Sequence, residues 1–371
     1  MVPSPGSTTP PETTPPELTP RDVPVPLAAR AQAPAVVPLP GAALGLAWRS
    51  LTPADAPELA ALVARIEEVD GAPFRTTLVE VGEWFTGSWK DPSRDTVGGF
   101  APGGALVAYA FAEVAPGDVT IIRANLRGGV HPAYRRRGIG TALVRWMDAR
   151  GRQLLAASGS SAAGWLTTFL EGESGAEHRL FAAAGFTPAR WFTTMRRDLA
   201  EPSPERAVPS GLTLVPWSIE LDDAIRVAHN EAFADHWGSQ PRTAEQWRGS
   251  RSSFVPRWSF AIVADADADA DADESPAPVV AGYLMAESFV DDWPVLGYSF
   301  GYVHQLGVRR PWRRQGLAVA LLAAAMDAFR SEGVAYAVLD VDTENPTGAH
   351  GVYSRVGFTP VHRSVAYTIE L

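Results

Sequence analysis

The sequence predicts two consecutive α/β units behind a proline-rich tail, and three observations carry that prediction. Residues 130–143 (VHPAYRRRGIGTAL) and 308–322 (VRRPWRRQGLAVALL) are two versions of one basic, glycine-punctuated stretch, with Arg135 and Arg313 lying 178 residues apart. That interval is far longer than the roughly 20–50 residues of a solenoid repeat, so it marks a duplicated domain. The length of 371 residues agrees with two domains and an extension. The order of strand and helix patterns around the stretch is the same in both halves.

Taken in order, residues 1–44 are dense in Pro, Thr and Ala without apolar periodicity, which predicts a disordered tail. The first unit spans 45–200. It opens with a short strand in LGLAWRSL, then Thr52, Pro53 and Asp55 start an apolar-periodic helix in PADAPELAALVARIEEV. The segment AEPSPERAVPSG reads as a linker, placed at 201–210, and the second unit spans 211–371. It repeats the pattern with GLTLVPWS as strand and LDDAIRVAHNEAF as helix. In each unit a hairpin follows, then a strand running into the basic stretch, then a long helix. The alternating Ala-Asp run between Ala264 and Glu274 lacks the glycine and terminal glutamate of a calcium loop and reads as a solvated hairpin tip, so no metal is expected.

Composition narrows the functional classes. With 46% hydrophobic and 20% charged residues the chain has apolar material for a core in each half. No apolar run reaches the roughly 18 residues of a membrane span, and MVPSPGSTTP lacks the features of a signal peptide, so a cytoplasmic protein without a membrane partner is expected. The absence of cysteine excludes disulfides, thiolate nucleophiles and zinc–cysteine sites. A net charge of −10 argues against nucleic-acid binding and favours cationic partners. Lysine occurs once, at Lys90, a bias that reads as genomic.

The repeated stretch has the chemistry of an anion site. Small residues where a strand turns into a helix admit a ligand to the backbone, and the free N–H groups of the first helical turn bind phosphate, aided by the helix dipole and neighbouring arginines. A P-loop is excluded, because its lysine is missing, and neither copy completes a dinucleotide fingerprint. With Val130, Pro132, Arg135, Gly138 and Gly140 in one copy and Val308, Pro311, Arg313, Gly316 and Ala318 in the other, the stretch resembles the acyl-CoA pyrophosphate motif of the GNAT acetyltransferase superfamily. The resemblance covers residues 45–371 in two tandem units. It implies an α/β (α+β) fold with two mixed, mostly antiparallel sheets flanked by helices, splayed between central strands where acetyl-CoA enters as cosubstrate.

The resemblance also distributes roles. Acetyl-CoA contacts fall to Leu306, Val308, Arg313, Arg314, Gln315, Gly316, Leu317, Ala318 and Asn345, with Val130, Arg135, Arg136, Arg137, Gly138, Ile139 and Gly140 as their counterparts in the first unit. In LDVDTENPTGAHGVYSRVGF, Tyr353 ahead of Gly357-Phe358 is the expected proton donor to the departing thiolate, as befits a phenol with a pKa of about 10. The first unit carries Phe181 at that position, ahead of Gly185-Phe186, and Glu173 in place of Asn345, which makes it the non-catalytic copy. Where the family often has an acid on the strand before the motif, this chain has Tyr302 and His304. His304 is the first candidate base and Asp340 the second, the two expected as a coupled pair. His236, Trp237, Glu287 and Tyr302 are expected around the acceptor, with Asp291 and Asp292 adding negative charge. The expected activity is acetyl transfer to a primary amine of a small molecule by a monomer or homodimer. A protein or peptide acetyltransferase and a non-catalytic acyl-CoA sensor are the alternatives.

Overall fold

The computed structural model describes residues 25–234, 239–249, 251–264, 278–343 and 349–371. Its strands are β1 (Ala47–Arg49), β2 (Thr96–Phe100), β3 (Leu106–Val114), β4 (Ile121–Val130), β5 (Ala163–Glu171), β6 (Thr187–Asp198), β7 (Leu212–Pro216), β8 (Phe260–Ala264), β9 (Val280–Glu287), β10 (Phe300–Val308), β11 (Tyr336–Asp342) and β12 (Thr359–Glu370). Where two sheets were expected, they form one in the order β1-β2-β3-β4-β5-β12-β6-β11-β10-β9-β8-β7, because β12 pairs with β5 and β6 with β11. Among these neighbours β4–β5 and β10–β11 are parallel and the rest antiparallel, as expected.

Alternation along the strands feeds a core on each side of the sheet. In β3, Ala108, Ala110 and Ala112 pack with the helix Ile139–Ala157, whereas Tyr109 and Phe111 pack with the helix Ala56–Asp70. The second half repeats this. Leu284 and Ala286 of β9 meet the helix Leu317–Ser331, and Tyr283 and Met285 meet the helix Asp222–Ala232. The Ala56–Asp70 helix begins after a Thr52–Asp55 capping box and stops at Gly71, whose φ of 65° is readily reached by glycine.

The halves are interlocked through their last strands. β6, from the first half, pairs with β11 from Tyr336↔Asp198 to Asp342↔Phe192, while β12 pairs with β5 from Ser364↔Glu171 to Glu370↔Trp165. β6 and β12 also pair with each other at the centre of the sheet. A polar seam joins the halves elsewhere. Asp292 accepts a hydrogen bond from the Arg75 N–H at 2.6 Å, Glu245 accepts one from the Ser88 hydroxyl at 2.6 Å, and Gln240 accepts one from the Val119 N–H at 2.8 Å.

Residues 25–44, expected within the disordered tail, are ordered. Leu27 is fully buried against the first core, a burial worth roughly 1.5–3 kcal/mol. The Arg30 guanidinium donates to the carbonyls of Leu371, Ser161 and Ala162, and Arg152 donates to that of Ala31 at 3.0 Å. Ala31 is buried with Leu27, and Val37 and Leu44 pack against the same core, so a few contacts dock a segment whose composition shows no periodicity. Residues 1–24 and 265–277, the latter holding all but the first residue of the Ala-Asp run, lie outside the described residues.

Candidate active site

Both basic stretches fold into the same turn. After Val130 and Val308 a single helical turn (Pro132–Tyr134; Arg310–Trp312) leads to Arg136 and Arg314, which have φ values of 64° and 65°. Gly138 and Gly316 follow at 83° and 84° and open the helices Ile139–Ala157 and Leu317–Ser331, with no side chain capping either start. An arginine in the left-handed region is uncommon, and finding it twice at one position ties it to the turn rather than to chance. Free N–H groups at such a turn form an anion-binding concavity, strengthened by the helix dipole. Arg136, Arg137 and Gly138 are exposed there, as are Arg314, Gln315 and Gly316, while Ile139 and Leu317 are buried beneath. These donors fit the pyrophosphate of an acyl-CoA. Gly140 and Ala318 keep the first helical turn small.

Arg135 and Arg313 are placed differently from the expected phosphate contacts. Each donates from Nε to the valine carbonyl at its strand end, at 3.1 Å. Arg135 also makes a bidentate pair with Asp70 at 2.6 and 2.7 Å, and Arg313 donates to the Ala232 carbonyl at 2.8 Å. They tie the turn to the end of the preceding helix. Gln315 donates to the Pro311 carbonyl and Arg137 to that of Ala133, bracing the turn from within.

The strands part just upstream of these turns. β10 pairs with β11 only from Phe300 to Tyr302, and β4 with β5 only from Ile121 to Asn125, so Leu306, Val308 and Val130 line open walls. In the second half four side chains surround the point of parting. Tyr302 donates to Asp340 at 3.0 Å, and His304 Nδ1 lies 3.4 Å from Glu287. The expected His304–Asp340 pair is therefore not formed, because register sets Glu287 opposite Tyr302 on the other neighbouring strand. His304 occupies a register shift between Val303 and Gln305, a bulge that removes it from the ladder and turns it toward Glu287. Asp342, two residues further along β11, pairs with Arg190 at 3.1 Å.

Electrostatics sorts these groups. Burial pushes the Glu287 carboxyl up to about 7, helped by the charges of Glu80 and Glu83 and opposed by a Ser253 hydrogen bond and Arg242. Desolvation by the surrounding protein, although the side chain keeps 37% of its surface exposed, and the Arg242 charge bring His304 down to about 4, so its imidazole is neutral at pH 7. Burial raises Tyr353 to about 12, and burial with the Asp340 carboxylate raises Tyr302 further, which leaves both phenols protonated. Tyr353 sits on the helix Ala349–Arg355 and its ring meets Phe358 edge-on at 6.0 Å. His236, Trp237 and Asn345 lie outside the described residues. Asp292 is turned to the seam.

The first half can be aligned to this site by register. Asn125 lies opposite Glu113 and beside Thr167, as Tyr302 lies opposite Glu287 and beside Val338. Two residues further along, Phe169 stands where Asp340 does. Phe181 contacts Phe186 edge-on at 5.3 Å, and the Phe186 N–H donates to the Phe181 carbonyl as that of Phe358 does to Tyr353. Its cleft is a cavity of about 1270 Å³ that runs from Gly138 and Gly140 past Lys90 and Glu113 to Ser253, Glu287 and Phe289 of the second half. Sequence reasoning missed Glu80, Glu83, Ser253 and Arg242 around Glu287, since they come from three segments distant from it in sequence with no local motif.

The fold and the paired anion-binding turns define an acyl-CoA-dependent acyltransferase, and the comparisons agree. The Acetyltransferase (GNAT) family matches residues 223–358. A mycothiol acetyltransferase from Nocardia farcinica is 32% identical over 275 residues, covering 71% of this chain and 79% of that relative. Another from Salinispora tropica is 30% identical over 326 residues, covering 85% and 94%. A GCN5-related N-acetyltransferase from Sphaerobacter thermophilus superposes with a TM-score of 0.63 at 27% identity, covering 90% of this chain and 97% of that one. A tandem GNAT protein from the clavulanic acid biosynthesis pathway shares the fold, with a TM-score of 0.60 at 22% identity over 88% and 98%. The chain belongs to the GNAT acetyltransferase family.

Proposed function

We propose that the second half transfers the acetyl group of acetyl-CoA to a primary amine of a small molecule by direct attack within a ternary complex. The observation that carries this reading is the Glu287 carboxyl, held near 7 at the mouth of the β10–β11 splay. A base with that pKa can take the ammonium proton of an incoming amine at neutral pH, which His304 at about 4 does poorly. His304 beside Glu287 orders the path of that proton. The amine nitrogen forms its bond to the thioester carbon, the C–S bond breaks, Tyr353 supplies a proton to the departing sulfur, and the second proton released by the nitrogen restores the phenol. The exposed turn at Arg314–Ala318 and the walls at Leu306 and Val308 suit the pyrophosphate and pantetheine arm.

Glu80, Glu83 and Glu287 favour a cationic acceptor approaching between the halves. The name of the relatives, mycothiol acetyltransferase, supports a small molecule over a protein. Among the described residues no helix is long and apolar enough to cross a membrane. The test is acetyl transfer to a panel of small amines, followed as CoA release and product mass. Glu287→Gln is expected to lower kcat/KM by about 10²–10⁴-fold with acetyl-CoA binding retained. Equal turnover by this variant would remove Glu287 as the base, and no transfer to any amine would favour the sensor.

A further inference from the structure

The chain replaces lysine with arginine everywhere but once. Lys90 is the single lysine among 32 Lys and Arg residues, and it lines the cavity of the first half. Its ammonium lies 3.2 Å from Glu113, the residue that register places where the second half has Glu287. Glu113 in turn lies opposite Asn125, the last β4 residue paired with β5, so the amine sits one strand from the point where the cleft opens. The same cavity reaches Gly138 and Gly140, whose turn has the backbone of the Gly316 turn. An amine, a carboxylate beside it and an acyl-CoA cleft are the parts of an acetyl transfer. Here the amine belongs to the chain itself. An arginine would keep the ion pair and donate equally well to the Glu83 and Trp84 carbonyls that Lys90 meets at 3.2 and 3.1 Å. What arginine cannot supply is a nucleophilic amine.

We propose that Lys90 occupies the acceptor-amine position of the first half and is acetylated there by acetyl-CoA bound at the Gly138 turn. Glu113 takes one proton from the ammonium, and the freed Nζ forms its bond to the thioester carbon. The C–S bond breaks, and the second amine proton leaves with the sulfur as the CoA thiol. Phe181 offers no proton to that sulfur, so the step is slow and single, a modification rather than a turnover. The product has lost the charge that pairs with Glu113. The inference rests on acetyl-CoA entering the first cleft, which the catalytic reading of the second half does not require.

The test is intact-mass measurement of the purified full-length protein incubated with acetyl-CoA, followed by peptide mapping. One added acetyl group at Lys90 is expected. It should be absent in Lys90→Arg, at least tenfold slower in Glu113→Gln, absent in Gly138→Glu and unchanged in Tyr353→Phe. Folding of each variant is checked by circular dichroism and by acetyl-CoA binding at the second site. No acetylation of wild type after prolonged incubation overturns the proposal, as does an adduct that persists in Gly138→Glu or that lies elsewhere. Transfer to external amines, measured in parallel, reports on the catalytic reading independently of the Lys90 adduct. Its presence without the Lys90 adduct sinks this inference and leaves the catalytic reading standing.

Discussion

At Gly138 and Gly316 the two halves turn with φ values of 83° and 84°, and the arginine two residues earlier is left-handed in both, yet the strands leading into these turns differ. β10 carries a bulge at His304 and faces Glu287, while β4 keeps unbroken register with β3 through the equivalent stretch. Tyr302, Asp340 and Tyr353 stand against Asn125, Phe169 and Phe181. Glu287 is near 7 and, among the described residues, has only His304 within ion-pair distance, whereas Glu113 is paired with Lys90. On the reading proposed above, the difference teaches that phosphate recognition and acetyl transfer are separable in this fold. The first depends on backbone at a strand–helix junction and survives changes of side chain. The second depends on protonation states set by burial and neighbours, which a few substitutions remove.

The largest effect expected from breaking the comparison is at the turns. Gly316→Glu sets a carboxylate and a strained φ against the pyrophosphate, so calorimetric titration should show loss of acetyl-CoA from the second site and turnover should vanish. Gly138→Glu carries the same strain in the first half and should leave turnover to external amines intact. If the outcomes are reversed, the first half is the working enzyme.

Exchanging the aromatic residues tests the proton donor. Tyr353→Phe should lower kcat about 10²-fold with little change in KM, because it removes a proton needed only as the sulfur departs. Phe181→Tyr should not restore this loss, since the first half lacks the bulge and the free carboxylate. A rescue would show that the phenol alone separates the halves.

The pH profile sharpens the role of Glu287. Its carboxyl must be ionised to accept a proton, so kcat/KM should rise with pH through about 7. Removing a nearby negative charge in Glu80→Gln or Glu83→Gln eases ionisation and should move that midpoint to lower pH. A profile that instead rises through about 4 would assign the base to His304.

The smallest effect lies at the seam between the halves. Asp292 is raised to about 7 by burial, above the usual carboxylate value of about 3.9. Its protonated form is favoured in the folded chain, so stability is lost as pH rises from about 4 to about 7 and the unfolded chain releases its proton first. Asp292→Asn keeps an acceptor for the Arg75 N–H and avoids that cost. Thermal unfolding at pH 8 should show it more stable than wild type by roughly 1–2 kcal/mol, with the gain disappearing near pH 4.

Much of the site was legible because its signals are local. The anion-binding turn is a run of about a dozen residues, and Tyr353 and Phe181 each precede a Gly-Phe pair at a fixed interval. The surroundings of His304 were not legible, for the opposite reason. His304 has a suitable ordinary pKa, but its actual partner, Glu287, lies on the neighbouring strand, and Glu80 and Glu83, which help raise that carboxyl, lie on a helix of the other half. Arg135 and Arg313 were read by charge as phosphate ligands, while their carbonyl partners and Asp70 direct them inward.

By itself the sequence determined the repeated stretch and its two strand-to-helix turns, the mixed α/β fold and the absence of a phenol at position 181 of the first half, since each is written in spacing within one segment. Only the tertiary structure decided that β6 and β12 cross into the opposite halves, that Leu27 and Arg30 dock the end of the tail, and that Lys90 lies beside Glu113. Strand order, register and the protonation of buried groups depend on residues far apart in the chain, and no local pattern encodes which of them will meet.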